Sequence, residues 1–344
     1  MIILPAEICG YIVQSLVDHE PISELSPLQR QIENAIRERR THSDTLLALC
    51  VVSKAWRAEV IPFIWYHLKL DLKASRSHWS YDPEVSERLV NILGLLKRSN
   101  SSHAPYIKVI YIDVRGHSPT AQQSSLSGTL ASHVEEILSL SSRLRKLSLS
   151  FSESITPLLL QLNKLGFPHL SHLHLEVWDV SEEAAKHHLL SRFVTRQTRL
   201  RHISLYTYGS RNSYWLSAPD PERLSEVEHF VGHVAALTLV SACTNLKAVH
   251  IWAADEPRSP SKRDDLMRGL SLVGNPFQHV TCLAITPIEL SDQPQIVLEK
   301  GVLQAIARAF PSLTDLGGLY ANQDFVVRIY AIYTRRLRMV SPQA

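Results

Sequence analysis

Leu170-Ser171-His172-Leu173-His174-Leu175 is the stretch on which the fold turns. Leu173 and Leu175 stand two residues apart around a histidine, the period at which strand side chains return to the same face, and Leu170 sits three residues earlier at the entry to the strand. Such a segment buries its leucines on one side and presents His172 and His174 on the other. The same spacing recurs at Ile107/Ile110/Ile112, Leu144/Leu147/Leu149, Leu200/Ile203/Leu205, Leu246/Val249/Ile251 and Val280/Leu283/Ile285, with Leu313/Leu316/Leu319 as a degenerate last copy. Successive copies start 37, 26, 30, 46, 34 and 33 residues apart. Between them, stretches 129–141, 181–196, 223–242 and 301–310 carry apolar residues three and four apart and read as helices. The unit is a strand followed by a helix, each burying its apolar face on the next, which predicts an α/β architecture.

The strand pattern resembles the L-x-x-L-x-L of leucine-rich repeats, whose 20 to 29 residue period most of these intervals exceed. Residues 68–344 are therefore expected to form an irregular leucine-rich-repeat-like solenoid, with parallel strands on one face and helices on the other. The Asn or Cys usual after the L-x-L is absent, which points to a diverged array. A doubly wound sheet also alternates strands with helices. It needs a glycine-rich turn after its first strand, and neither G-x-G-x-x-G nor G-x-x-x-x-G-K-[ST] occurs in a chain with 12 glycines against 49 leucines.

The beginning of the chain has a different period. Pro5 in Leu4-Pro5-Ala6-Glu7 suits a first helical turn, and Ile8, Ile12 and Leu16 then form one apolar stripe. Residues 20–43, rich in Arg, Glu and Ser, read as a long loop. From Asp44 the row Leu46, Leu47, Leu49, Cys50, Val51, Val52 predicts one short helix, and Ser53 is placed to cap a second that starts at Lys54. Alternation at Leu68, Leu70 and Leu72 then marks the change to strand.

These blocks, Leu4-Pro5-x-Glu7-Ile8, Leu46-x-x-Leu49-x-x-Val52-Ser53-Lys54-x-Trp56-Arg57 and Pro62-x-x-Trp65-x-x-Leu68, resemble an F-box domain and cover about a fifth of the chain. The resemblance implies a three-helix F-box over residues 1–67, with an insertion at about 20–43 longer than the family's usual connection. It implies that Leu4, Pro5, Ile8, Leu49, Val52 and Trp56 contact a Skp-type adaptor, and that Trp65 packs the box onto the following domain. An ordinary closed helical bundle is the other reading of the same apolar residues. The implied role is that of a non-enzymatic substrate-recognition subunit of a Skp–cullin–F-box ubiquitin ligase, binding a target protein through the repeats. A repeat scaffold without a degradation role is the alternative.

The repeat register assigns an outward row to each strand: Val109, Tyr111, Asp113; Lys146, Ser148, Ser150; His172, His174, Glu176; His202, Ser204, Tyr206; Ala248, His250, Trp252; Cys282, Ala284, Thr286. His172, His174, Glu176, His202, Tyr206, His250 and Trp252 then share three neighbouring strands and form the candidate target-binding face, with large amphipathic side chains of the kind that dominate protein interfaces. A zinc site would need three or four converging ligands and is not expected; histidine-linked pH sensitivity is a further reading of the same cluster. The loop 207–226, with Tyr208, Tyr214 and Trp215, either rims this face or is a plain surface connection.

Composition closes off other classes. The 36 Lys plus Arg against 33 Asp plus Glu leave a formal charge of +3, too weak a field to make nucleic acid the expected partner. Met1–Val17 lacks a basic leader, and no apolar run reaches the length of a membrane span, so neither secretion nor a membrane is expected. Cys9, Cys50, Cys243 and Cys282 stand far apart in apolar surroundings, as reduced core thiols do, which suits the cytosol or nucleus. Ser259-Pro-Ser-Lys262 matches S-x-x-K only in a polar, proline-bearing run, so neither a catalytic residue nor a cofactor is expected.

Overall fold

The computed structural model describes residues 45–72, 83–97, 103–114, 128–151, 156–178, 184–208, 224–253, 262–287 and 300–317. Leu4, Pro5, Ile8, the first expected helix and the 20–43 segment lie outside them, as do Tyr214, Trp215 and Leu319.

The chain is helical over 45–52 (α1) and again over Lys54–Ile64 (α2), and Ser53 separates the two as the N-cap. Its hydroxyl accepts from Trp56 N–H at 3.2 Å, so one of the orphan donors of the first turn is satisfied locally. Leu46 and Val60 form the buried centre of this pair, with Leu49, Cys50, Trp56, Phe63 and Ile64 partly buried around them. Arg57 ties the hairpin by donating from Nε to the Cys50 carbonyl at 3.1 Å.

Among the described residues nine strands follow: β1 (His67–Asp71), β2 (Val109–Val114), β3 (Lys146–Phe151), β4 (His172–Trp178), β5 (His202–Tyr208), β6 (His229–His233), β7 (Ala248–Ala253), β8 (Cys282–Pro287) and β9 (Asp315–Gly317). They make one parallel sheet in which each strand pairs with its neighbour in sequence, in the order β1 to β9. The doubly wound alternative is thereby overturned, because its strand order reverses and leaves a crevice at the reversal. Helices α3 (Pro83–Lys97), α4 (Gly128–Leu140), α5 (Thr156–Leu162), α6 (Ala184–Thr195), α7 (Leu237–Val240), α8 (Lys262–Leu272) and α9 (Lys300–Ala309) lie in the crossovers other than the one from β5 to β6.

The expected register is observed. Ile110, Leu147, Leu173, Ile203, Phe230, Val249 and Leu283 align across the sheet, as do Ile112, Leu149, Leu175, Leu205, Ile251 and Ile285 with Gly232 among them. All but the glycine join helix residues such as Leu89, Val134, Leu159, Phe193, Leu270 and Ile306 in one continuous core. The leading apolar residues Ile107, Leu144, Leu170, Leu200, Leu246 and Val280 are buried at the turns into their strands, and Leu313 of the degenerate last copy is partly buried. Trp65 holds that place before β1, packed against the core and stacked on His103 at 5.3 Å between ring centroids.

One expectation is corrected. Residues 223–242 are not a helix: they contain β6, a 3-10 turn at Val234–Ala236 and the short α7. Val227, Phe230 and Gly232 form a further copy of the strand phrase, and it divides the 46-residue interval into 27 and 19. Its third apolar place is empty of side chain because Phe230 fills it. A Cβ built on Gly232 would stand 2.8 Å from Phe230 Cζ and 2.8 Å from the Leu205 carbonyl oxygen. A ring and a glycine thus replace two aliphatic side chains, and the period is hidden.

Buried polar groups in the turns are bridged between units. Gln197 accepts from Phe167 N–H at 3.0 Å and donates to the Phe193 carbonyl at 3.2 Å, while Asn163 Nδ2 donates to the carbonyls of Leu159 and Leu189. These bonds satisfy backbone groups that the crossover leaves away from water.

Candidate functional site

With one sheet face covered by helices, the alternate residues form ladders on the other. At the first outward position His67, Val109, Lys146, His172, His202, His229, Ala248 and Cys282 follow one another across the strands. The second carries Lys69, Tyr111, Ser148, His174, Ser204, Val231, His250 and Ala284; the third carries Asp113, Ser150, Glu176, Tyr206, His233, Trp252 and Thr286.

At the centre three imidazoles stack. His172 and His202 lie 4.1 Å apart at 11° between planes, and His202 and His229 4.5 Å apart at 7°. The separation is set by the strand spacing of about 4.8 Å. Ser171 Oγ lies 2.9 Å from His172 Nδ1 and fixes one end of the stack. In the adjoining rows His174 packs on Tyr206 with centroids 5.1 Å apart, and Ser150 Oγ donates to Glu176 Oε2 at 2.9 Å.

Of the residues expected on this face, His172, His174, Glu176, His202 and Tyr206 are brought together on β4 and β5. His250 and Trp252 are not beside them, because β6 intervenes and sets them two strand spacings from β5. Sequence reasoning missed His229 and His233 along with that strand. The signal for it was the His229-x-Val231-x-His233 alternation after Val227.

The environment keeps the stack neutral. Burial, then the neighbouring His202 and Lys146 charges, holds His172 down to about 3. Burial and His229 hold His202 down to about 4 against the opposing pull of Glu228. His229, His174 and His250 are also lowered, in each case chiefly by burial. Unfolded histidines titrate near 6.5, so between that value and the folded values the unfolded chain binds more protons and acid favours unfolding. The stability held by the neutral ladder is complete above pH 6.5 and is lost as pH falls toward 4. We expect a cost of about 2 kcal/mol between pH 7.5 and 5, because the rings of His172, His202 and His229 remain partly open to solvent. Thermal melts across this window should show the decline, and His202→Phe should flatten it; an unchanged slope in that variant would contradict the assignment.

Among the described residues no three His, Cys, Asp or Glu side chains are grouped to hold a metal ion. The stacked rings account for this geometrically, since parallel imidazoles aim their nitrogens side by side instead of at one point. Cys243 is buried and its thiol is pushed up to about 12 by that burial, an inert core group. Among the described residues no helix is long and apolar enough to cross a membrane.

A second surface lies on the helical hairpin. Val51, Val52 and Leu47 are 79%, 63% and 51% exposed, whereas Leu49 and Trp56, expected beside Val52, are half-buried against Leu46 and Val60. Leu47 and Val51 are one helical turn apart, so with Val52 they form one outward apolar patch. Trp65 faces the core of the sheet. No family model matches the sequence, and no curated protein matches it.

Proposed function

We propose that this chain is the substrate-recognition subunit of a Skp–cullin–F-box type ubiquitin ligase: an F-box at about 1–67 engages a Skp-type adaptor, and a leucine-rich-repeat-like solenoid from 68 onward binds the target protein. The observation that carries the reading is the outward patch Leu47, Val51 and Val52 on a hairpin whose inward residues, Leu46 and Val60, are already buried. The two described helices bury their own centre and still present three large aliphatic side chains, which suits completion by a partner. The F-box-like blocks at Leu4, Pro5 and Ile8 and at Leu49, Val52 and Trp56 specify that partner as the adaptor. The ladder face supplies the target end. In this reading the chain contributes proximity and orientation, with the chemistry performed by the cullin-bound enzyme.

The alternative is a scaffold that binds the same target without directing its degradation. Proteins crosslinked to the ladder face in cells should be lengthened in lifetime by proteasome inhibition or by deletion of this chain. Unaltered lifetimes of those proteins would favour the scaffold.

A further inference from the structure

The row just before the strands has its own ladder. Lys108, Arg145, Ser171, Arg201, Glu228, Lys247 and Thr281 are linked in sequence, since the carbonyl of each accepts from the two N–H groups that open the next strand. Around β2 to β5 this edge carries Lys108, Arg143, Arg145, Lys146, Arg199 and Arg201, and its turns, 103–109, 141–146, 166–172 and 196–202, contain no Asp or Glu. All but Lys108 are exposed, and among the described residues no carboxylate pairs with any of them. At β6 the sign changes, and Glu228 there pairs with Lys247 at 3.4 Å.

Helix dipoles account for only part of this. Arg143 follows the end of α4 and Arg199 the end of α6, where a cation is favoured, but that effect fades within the last turn. Lys108, Arg145, Lys146 and Arg201 stand at the strand entries, beyond its reach. They also crowd one another: the lysine of Lys108 is lowered by burial and by the Arg143 and Arg145 charges. Like charges gathered without counterions are unfavourable until an anion binds between them.

We propose that the entry edge of β2–β5 docks an acidic segment of a protein, its carboxylates lying over Lys108, Arg145, Lys146 and Arg201. The inference rests on reading the sheet face as the target-binding surface and names the chemistry of the target. Three strand spacings make about 14 Å, the length of four or five extended residues. Single-stranded nucleic acid fits less well, because bases need open aromatic faces and the imidazoles here cover one another.

The full chain is titrated by fluorescence anisotropy with a labelled decapeptide of alternating Glu and Ser, with its Gln counterpart and with oligothymidine of equal charge. The acidic peptide should bind, more weakly as salt is raised, and the Gln peptide should not. Arg145→Glu with Lys146→Glu, and independently Arg201→Glu, should weaken it by about tenfold or more, whereas Lys247→Glu, whose cation is already paired, should change it by less than about twofold. Absent binding, equal binding of the Gln peptide, indifference to charge reversal or tighter binding of oligothymidine overturns the proposal. Adaptor capture measured on the same samples separates this from the function proposed above: retained capture with no peptide binding sinks only the acidic-segment inference.

Discussion

Gly232→Val should destabilise the protein by about 3 kcal/mol, at the upper end of overpacking effects. The added Cβ would sit 2.8 Å from the Leu205 carbonyl oxygen, a backbone atom of the neighbouring strand, and 2.8 Å from Phe230 Cζ. Neither can yield cheaply. Leu205 is held in the ladder between β4 and β6, and the Phe230 ring is 1% exposed among core side chains. Gly94→Ala provides a control of opposite sign. It lies inside α3 with nothing within 4 Å of a built Cβ, so removing its backbone freedom should stabilise by about 0.5–1 kcal/mol. Urea unfolding of the two variants checks both, and a Gly232→Val midpoint equal to wild type would show that β6 does not pack as described.

The second large effect is on association. Val51→Glu combined with Val52→Glu should abolish adaptor co-purification, a loss of about a hundredfold or more in affinity, because two charges would enter an apolar contact. The change should leave the melting temperature nearly unaltered, since both side chains point to water in the free chain. Leu46→Ala is the contrasting case: Leu46 is at the centre of the hairpin, so its truncation should cost stability as well. Undiminished capture by the double glutamate variant, with the chain folded, would remove the patch from the interface.

The strands from β2 to β8 other than β6 were readable because each places two aliphatic residues on the covered face, and a period of two has no other economical explanation at Leu173/Leu175 or Leu283/Ile285. Their neighbours followed from the same register, which is why His172, His202 and Tyr206 could be grouped from sequence. The grouping failed where a side chain does two residues' packing. Phe230 covers Gly232, the third apolar signal vanishes, and with it went β6, His229 and the true distance of His250 from His202.

The hairpin shows a different limit. Leu46, Leu47, Leu49, Cys50, Val51 and Val52 are apolar around most of the helix, so periodicity cannot say which side is covered. Packing with α2 decides it, turning Leu46 inward and Leu47 and Val51 outward. The basic edge was also hidden, because Lys108, Arg145, Lys146 and Arg201 are dispersed through 94 residues of sequence and only the parallel ladder aligns them.

Co-expression of the full chain with a Skp-type adaptor, followed by size-exclusion chromatography with light scattering, tests the central claim most directly. The account predicts a stable one-to-one complex, lost with Val51→Glu and Val52→Glu and unaffected by Arg145→Glu and Lys146→Glu. A folded monomer that leaves the adaptor in a separate peak would contradict it.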